Sequence, residues 1–227
     1  MKTVVILSGG MDSTIALHLM RREHECYALS FYYKQKQCKE LDKAAETCSL
    51  YGIPHRILDL SVLGDIAKTI SANIMGTDVA MPEDANKEQQ PVTYVPFRNM
   101  ILLSLASSYA ESIGAEQIVI GAQQQDHYGY WDCTPSFIEA MNAVISQNRE
   151  HQIRIVAPFA TFSKAQEIEA LVAAYGEEEA IKMLSHTLTC YNPDNGDSCG
   201  HCPSCIERLD AFNAVNISDP VPYASQS

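Results

Sequence analysis

Apolar runs and amphipathic stretches alternate along roughly the first sixty residues. Residues 3–7 form an apolar run, which is typical of a parallel strand covered by helices on both faces. Further strands are predicted at residues 26–33 and 55–61, with helices at 13–22 and 37–51 between them. The order strand, helix, strand, helix, strand predicts a doubly wound parallel sheet.

The alternation resumes after one interruption. Residues 71–94 contain the polar, proline-punctuated stretch GTDVAMPEDANKEQQP, which predicts a long loop. Beyond it the pattern predicts two more strands and three helices, at 116–121 and 153–159 and at 96–114, 136–146 and 163–176. We therefore expect an α/β fold with a mostly parallel, five-stranded sheet.

Composition and charge narrow the class of protein. A formal net charge of -12 argues against holding long nucleic acid by phosphate neutralisation, which needs clustered lysine and arginine. The N-terminal stretch lacks the features of a secretory signal, and no apolar run reaches the length of a membrane span. We expect a cytoplasmic protein whose eight cysteines serve as thiols or metal ligands rather than as disulfides.

Candidate nucleotide chemistry follows the first strand, in the stretch LSGGMDST. Two glycines allow a tight turn whose N–H groups converge, and the next helix adds the positive end of its dipole, so this segment predicts an anion site. Hydroxyl groups line it and an acid beside them can hold Mg²⁺. The nucleotide-binding candidates are Leu7, Ser8, Gly9, Gly10, Met11, Asp12, Ser13 and Thr14. The alternative is an ordinary strand-to-helix turn with an N-cap at Asp12 or Ser13.

The stretch resembles the SGGxDS pyrophosphate loop of the ATP-pyrophosphatase superfamily. No Gly-Lys-Ser/Thr follows the glycines, so it is not a Walker A loop. The resemblance implies an adenine nucleotide alpha hydrolase-like fold and an ATP that is split to AMP and pyrophosphate, with AMP passed to an oxygen of the substrate. Ser8, Asp12 and Ser13 are then catalytic candidates.

Four cysteines crowd near the C-terminus, at Cys190, Cys199, Cys202 and Cys205. Two-residue gaps let thiolates converge on one ion, and four sulfurs complete the tetrahedron of structural zinc. Iron–sulfur ligation and a disulfide pair are the alternatives. We expect residues 1–185 to form the nucleotide-binding α/β domain and 186–227 a metal-stabilised segment with a terminal helix.

Three further stretches narrow the family: VPFRN, DHYGYWDC and the cysteine segment CYN…CGHCPSC. With the pyrophosphate loop they resemble, in this order, the 7-cyano-7-deazaguanine synthases of the queuosine pathway. Together the motifs cover nearly the whole chain, which makes the combination far more specific than any single part.

The resemblance implies a ligase that adenylates the carboxylate of 7-carboxy-7-deazaguanine, lets ammonia displace AMP, and uses a second ATP to dehydrate the amide to a nitrile. It also implies a homodimer. The substrate-side candidates are Tyr33, Gln35, Arg98, Asn99, Asp126, Tyr130 and Asp132.

These residue types suit a carboxylated, guanine-like substrate. Arg98, also a catalytic candidate, can donate two parallel hydrogen bonds to a carboxylate or phosphate. Asp126 and Asp132 can accept N–H groups of a guanine-like edge, and Tyr130 or Trp131 can stack on its face. The alternatives are a surface salt bridge for the arginine, turn caps for the acids and core packing for the aromatics.

Two segments depart from the family pattern. Residues 33–37 read Tyr-Lys-Gln-Lys-Gln where the family typically has Tyr-Gly-Gln-Arg-His, and residues 129–134 read Gly-Tyr-Trp-Asp-Cys-Thr where it has Gly-Tyr-Pro-Asp-Cys-Arg. They motivate an alternative enzyme that stops at the amide, with ammonia or an amine of a protein or other macromolecule as acceptor. A tRNA-modifying enzyme of the superfamily and a nucleotide-binding module without catalysis are further alternatives.

Overall fold

The computed structural model describes residues 1–80, 90–191, 193 and 197–224, without the side chains of residues 127 and 128. Five strands form one parallel sheet in the order β3-β2-β1-β4-β5. They are β1 (Lys2–Ile6), β2 (Glu25–Tyr32), β3 (His55–Asp59), β4 (Gln117–Val119) and β5 (Arg154–Val156). The strand order reverses between β1 and β4, as in doubly wound nucleotide-binding folds. The predicted fold class is confirmed.

Helices cover both faces of this sheet. The described residues form α1 (Met11–Met20), α2 (Glu40–Tyr51), α3 (Ser61–Ala67), α4 (Arg98–Ile113), α5 (Pro135–Ile145), α6 (Lys164–Tyr175), α7 (Glu177–Leu184) and α8 (Pro203–Ala214). None of them is both long enough and apolar enough to span a lipid bilayer.

The apolar run of β1 divides between two cores. Val4 and Ile6 pack with the buried faces of α3, α4 and α5. Val5 and Leu7 pack on the other side with α1, α2, α6, α7 and α8. Because successive side chains of a strand point to opposite faces, a strand between two helix layers must be apolar at every position. This is why residues 3–7 read as an unbroken run.

The structure adds two helices that the pattern did not predict. The α3 helix is short and leaves Val62 and Ile66 more than 60% exposed although Leu63 and Ala67 are buried, so its apolar positions do not separate a buried face from an exposed one. The α7 helix starts with three consecutive glutamates at 177–179, which stabilise the positive end of a helix but give no apolar periodicity.

Two helix starts differ from the prediction. Gly10 is the N-cap of α1, so Asp12 lies in the first turn rather than at the cap. Pro96 precedes α4 instead of lying in its first turn, because Phe97 takes a left-handed conformation (φ 53°) before the helix begins.

Part of the predicted long loop is described. Its two arms meet where the N–H of Ala72 donates to the carbonyl oxygen of Val92 at 2.7 Å. Residues 81–89, the centre of the predicted loop, lie outside the described residues.

A buried ion pair fixes the end of the C-terminal segment to α8. Nε and Nη2 of Arg208 on α8 donate to the carboxylate of Asp219 at 2.7 and 2.9 Å, and both side chains are at most 3% exposed. Nη1 of the same guanidinium donates to Thr187 Oγ1 at 2.7 Å, and the hydroxyl of Tyr223 donates to Asp219 at 2.6 Å. Nη2 also donates to the carbonyl oxygen of Leu184 at the end of α7 at 3.3 Å, and α8 packs in the core with α6 and α7. The division of this segment from residues 1–185 stays a prediction.

Replacing Asp219 with asparagine should lower the free energy of unfolding by about 3 kcal/mol or more, because the buried guanidinium loses its counter-charge. Denaturant titrations of wild type and Asp219→Asn measure the difference. Asp210→Asn, an exposed substitution on α8, is the control and should change the value by less than about 0.5 kcal/mol. Equal losses in the two variants would contradict a stabilising role for the ion pair.

Candidate active site

One cavity of about 290 Å³ opens beyond the carboxyl ends of β1, β2 and β4. Parallel sheets bind ligands at this edge, in the crevice where the strand order reverses. The cavity is lined by residues of the loop after β1, by the segment after β2, by Arg98 and Asn99 of α4, by the segments after β4 and β5, and by residues next to the cysteine cluster. Candidates far apart in sequence therefore meet in one place.

The loop after β1 is shaped by a close backbone approach. Gly9 has φ 93°, and a Cβ on it would overlap the carbonyl oxygen of Glu40. The loop after β4 also approaches closely, because a Cβ on Gly121 would lie 2.9 Å from the backbone nitrogen of Ser13. Glycine at both positions lets these backbones crowd around the N-terminus of α1.

Two serine hydroxyls of the loop face each other. Ser8 Oγ lies 2.9 Å from Ser13 Oγ and accepts the N–H of Gly10 at 3.1 Å, while the N–H of Ser8 donates to Ser13 Oγ at 3.2 Å. Of the eight predicted loop residues, five line the cavity: Leu7, Ser8, Gly10, Asp12 and Ser13. Gly9, Met11 and Thr14 are buried beside it and support its shape. The hydroxyls and N–H groups at this helix N-terminus form an anion site.

Asp12 is paired with a lysine that the sequence analysis did not single out. Lys164 Nζ donates to both carboxylate oxygens of Asp12, at 3.0 and 2.9 Å. Burial is the largest single influence and lowers the pKa of Lys164, but Asp12, Asp126 and Glu167 together raise it above its usual value, so the lysine stays charged. Lys164 is the first residue of α6, which follows β5, and a lysine at the start of a helix on the carboxyl side of a strand was the available signal.

Further carboxyl groups surround this pair. Glu167, on the first turn of α6, is fully buried, and burial together with nearby Asp12 raises its pKa. Desolvation, helped by Asp12, raises the pKa of Glu40 to about 8. Burial also raises the pKa of Asp126, which Lys164 opposes. Burial is the largest cause of each shift and the negative charge of Asp12 adds to it, so a cation bound beside Asp12 would lower these pKa values.

Arg98 and Tyr130, two of the substrate-side candidates, also line the cavity. The guanidinium of Arg98 donates through Nε to Asn99 Oδ1 at 3.1 Å and is hydrogen-bonded with Tyr33. The hydroxyl of Tyr130 lies 2.6 Å from Thr93 Oγ1. An arginine held by an amide and a phenol is oriented for an anionic group in the cavity.

Asp132 and Trp131 differ from the expectation of substrate contact. The carboxylate of Asp132 is buried away from the cavity and accepts the backbone N–H of Asn99 at 3.0 Å. It thus satisfies an N–H of the first turn of α4. Trp131 packs edge-to-face on Phe97 and Phe137 outside the cavity. Of the two aromatics considered for stacking, the cavity contains Tyr130.

Gln35 lines the cavity, but its amide is engaged within its own loop. Its Oε1 accepts the N–H of Tyr33 at 2.8 Å, and its Nε2 donates to the carbonyl oxygen of Phe31 at 3.0 Å. The amide therefore orients the segment after β2, which carries Tyr33 into the cavity.

The four cysteine sulfurs converge as predicted. The Sγ atoms of Cys190, Cys199, Cys202 and Cys205 all lie within 4.8 Å of one another. Cys199 and Cys205 are 3.9 Å apart, far longer than a disulfide bond of about 2.05 Å. Backbone N–H groups donate to the sulfurs, for example Cys199 N to Cys190 Sγ at 3.2 Å. The cluster can hold a metal ion.

Residues beside this cluster also line the cavity, and the sequence analysis missed them: Thr189, Tyr191, Ser204 and Glu207. Thr189 and Tyr191 flank Cys190, which was the available signal. The α/β core and the cysteine segment therefore enclose the cavity together.

The family of this chain follows from its sequence relatives. The family described as "Queuosine biosynthesis protein QueC" matches residues 2–216. The chain belongs to the QueC family. A "7-cyano-7-deazaguanine synthase" of Marinobacter nauticus is 42% identical over 97% of this chain and 96% of its own length. A "7-cyano-7-deazaguanine synthase 1" of Colwellia psychrerythraea is 40% identical, over 98% of both chains.

Similarity to the QueC family extends to a more distant relative. A "7-cyano-7-deazaguanine synthase" of Caldicellulosiruptor saccharolyticus is 36% identical over 98% of this chain and 96% of its own length. Membership of the QueC family implies ATP use, and the cavity places the loop that matches the pyrophosphate-loop pattern beside the substrate-side candidates.

Replacing Lys164 with methionine should lower the rate of AMP formation from ATP by about 100-fold or more. The cavity would lose the positive charge that orients the Asp12 carboxylate and balances it against the neighbouring carboxyl groups. Steady-state assays with saturating ATP measure the loss. Lys182→Met, on the exposed face of α7, is the matched control and should keep the wild-type rate. An unchanged rate in Lys164→Met would show that this cation takes no part in the reaction.

Proposed function

We propose that this chain converts 7-carboxy-7-deazaguanine and ammonia, through the amide, to 7-cyano-7-deazaguanine at the expense of two ATP. Full-length relatives at about 40% identity support the activity. The observation that carries the proposal is the meeting of the loop of residues 8–14 with Arg98, Asp126 and Tyr130 around one cavity. An ATP phosphate chain and a carboxylated base can then lie side by side.

In the first step, a carboxylate oxygen attacks the α-phosphorus of ATP and pyrophosphate leaves. Ser8, Ser13 and the N–H groups at the start of α1 bind the phosphate oxygens. Lys164 donates to the Asp12 carboxylate and orients it in the cavity beside these phosphate-binding groups. The residues fit a Mg²⁺ site, since Asp12 is a carboxylate in a cavity with unbalanced negative charge; Mg²⁺ would neutralise phosphate charge there.

The substrate side holds the carboxylate and the base. Arg98 donates to the carboxylate and orients it toward ATP. Asp126 accepts N–H groups from the guanine-like edge, and Tyr130 contacts the ring face. Tyr33, Gln35, Asn99 and Asp132 orient these groups through the contacts described above.

In the second step, ammonia attacks the acyl carbon and AMP leaves, which yields the amide. The amide oxygen then attacks the α-phosphorus of a second ATP and pyrophosphate leaves, after which loss of AMP and of the two amide protons gives the nitrile. Cys133 takes no covalent part in this scheme, because burial raises the pKa of its thiol and keeps it protonated. Ammonia can attack an acyl-adenylate without a protein nucleophile.

Most departures from the family pattern lie outside the cavity, which weakens their case against the full reaction. Lys34, Lys36, Trp131 and Thr134 do not line the cavity. Thr134 instead caps α5 by accepting the N–H of Phe137 at 3.2 Å. The departure that reaches the cavity is Gln37, where the family typically has histidine. The alternative that stops at the amide therefore rests on Gln37.

We propose zinc as the metal of the cysteine cluster. Four sulfur ligands at about 2.3 Å from a tetrahedral zinc ion lie about 3.8 Å from one another. The Sγ atoms of Cys199 and Cys205 are 3.9 Å apart. The backbone N–H groups that point at the sulfurs stabilise thiolates. His201 lies beside the cluster, where its Nδ1 donates to the carbonyl oxygen of Cys199. A closed four-thiolate site would be structural.

Oligomeric state, location and macromolecular partners stay predictions from the sequence. We expect a homodimer in the cytoplasm that contacts no membrane and binds no long nucleic acid. Under the alternative reaction, the acceptor would be ammonia or an amine of a protein or other macromolecule. The charge of -12 supports the absence of long nucleic acid.

Incubation with ATP, Mg²⁺, ammonia and 7-carboxy-7-deazaguanine should yield the nitrile, with two AMP per product. Mass spectrometry of the product and quantification of AMP measure both. An amide with one AMP would overturn the full reaction, and Gln37→His should then shift the product toward the nitrile. Absence of any AMP above the level of a no-carboxylate control would overturn the adenylation itself.

The purified protein should contain one zinc ion per chain, measured by mass spectrometry of the metal. Cys205→Ser should lose the metal and lower the melting temperature, because metal binding contributes folding free energy. Cys38→Ser, which lies outside the cluster, is the control and should retain the metal. Iron with absorbance in the visible range would favour the iron–sulfur alternative instead.

A further inference from the structure

The segment just before the first cysteine of the cluster lies against the loop of residues 8–14. The N–H of Leu188 donates to the carbonyl oxygen of Gly9 at 3.1 Å. A Cβ placed on Gly10 would lie 3.6 Å from Thr189 Cγ2 and 3.7 Å from the carbonyl oxygen of Leu188. The methyl group of Thr189 therefore lies beside the N-cap of α1, next to the loop of residues 8–14.

The hydroxyl of Thr189 is buried and has no hydrogen-bond partner among the described residues. Such a donor is costly to bury, and native structures rarely leave one unpaired without a reason. Thr189 also lines the cavity. Since the adjoining loop of residues 8–14 is the proposed phosphate site, an incoming phosphate oxygen would supply the missing acceptor.

The cysteine cluster fixes this threonine in place. Cys190 follows Thr189 directly, and the backbone N–H of Tyr191 donates to the sulfur of Cys202. The backbone is thus held on one side by Gly9 and on the other by the cluster. A side chain with little freedom loses little entropy when it binds a ligand.

We propose that Thr189 is a phosphate-binding residue, whose hydroxyl donates to the phosphate chain of ATP beside the loop of residues 8–14. The inference rests on ATP being the co-substrate in the proposed function, and it deepens that function by adding a residue of the C-terminal segment to the nucleotide site. The cysteine cluster then positions a group that touches ATP, besides stabilising the fold.

The test compares Thr189→Val with Thr189→Ser and a matched control. Valine keeps the shape of threonine and removes the hydroxyl, whereas serine retains it. The control is Thr47→Val on α2, which removes another buried hydroxyl that has no partner among the described residues and lies outside the cavity. The dissociation constant for ATP with Mg²⁺ is measured by calorimetry on the metal-loaded protein without the deazaguanine substrate.

Thr189→Val should raise the dissociation constant about tenfold or more, as expected when a hydrogen bond to a charged group is lost. Thr189→Ser and Thr47→Val should remain within about threefold of wild type. Melting temperature and zinc content show that each variant is folded and loaded, and Thr189→Ala replaces the valine variant if that one fails to fold.

Wild-type affinity in Thr189→Val would overturn the inference, and so would an equal loss in Thr189→Ser, which would indicate packing rather than a hydrogen bond. The outcome is independent of the proposed reaction. A wild type that binds ATP but forms no nitrile would contradict the proposed function while leaving this comparison intact.

Discussion

The architecture of the site depends on the close packing of three backbone segments around residues 8–10. Gly9 contacts the start of α2, Gly121 after β4 lies against Ser13, and Leu188 donates to Gly9 from the C-terminal segment. A side chain at either glycine would push one of these segments away. Because each segment carries cavity-lining groups, the same packing that shapes the loop also brings together groups from all parts of the chain.

Charge within the cavity is arranged around one strong pair. Lys164 contacts both oxygens of Asp12, and Glu40, Asp126 and Glu167 lie nearby with raised pKa values. A cavity that already holds so many carboxyl groups favours cations and neutral bases over bare anions. In the proposed reaction the phosphate chain of ATP would lie at the N-terminus of α1, where N–H groups and hydroxyls would offset its charge.

The C-terminal segment contributes both stability and chemistry. The ion pair between Arg208 and Asp219 fixes the residues that follow α8, and the cysteine cluster fixes the residues that precede it. On either side of the first cysteine of the cluster, the segment supplies Thr189 and Tyr191 to the cavity wall. A small number of local constraints therefore holds a segment whose own apolar core consists largely of the cysteines and Leu188.

The sequence by itself determined the sheet, the loop after β1 and the cysteine cluster. Each of these is a local pattern: an apolar run, glycines followed by hydroxyls and an acid, and cysteines at two-residue gaps. Only the tertiary structure decided which neighbours face the cavity. It turned Asp132 toward α4 and placed Lys164 on Asp12 across more than 150 residues of chain. Those contacts depend on how separate elements pack, and no spacing along the chain encodes the distance between their side chains.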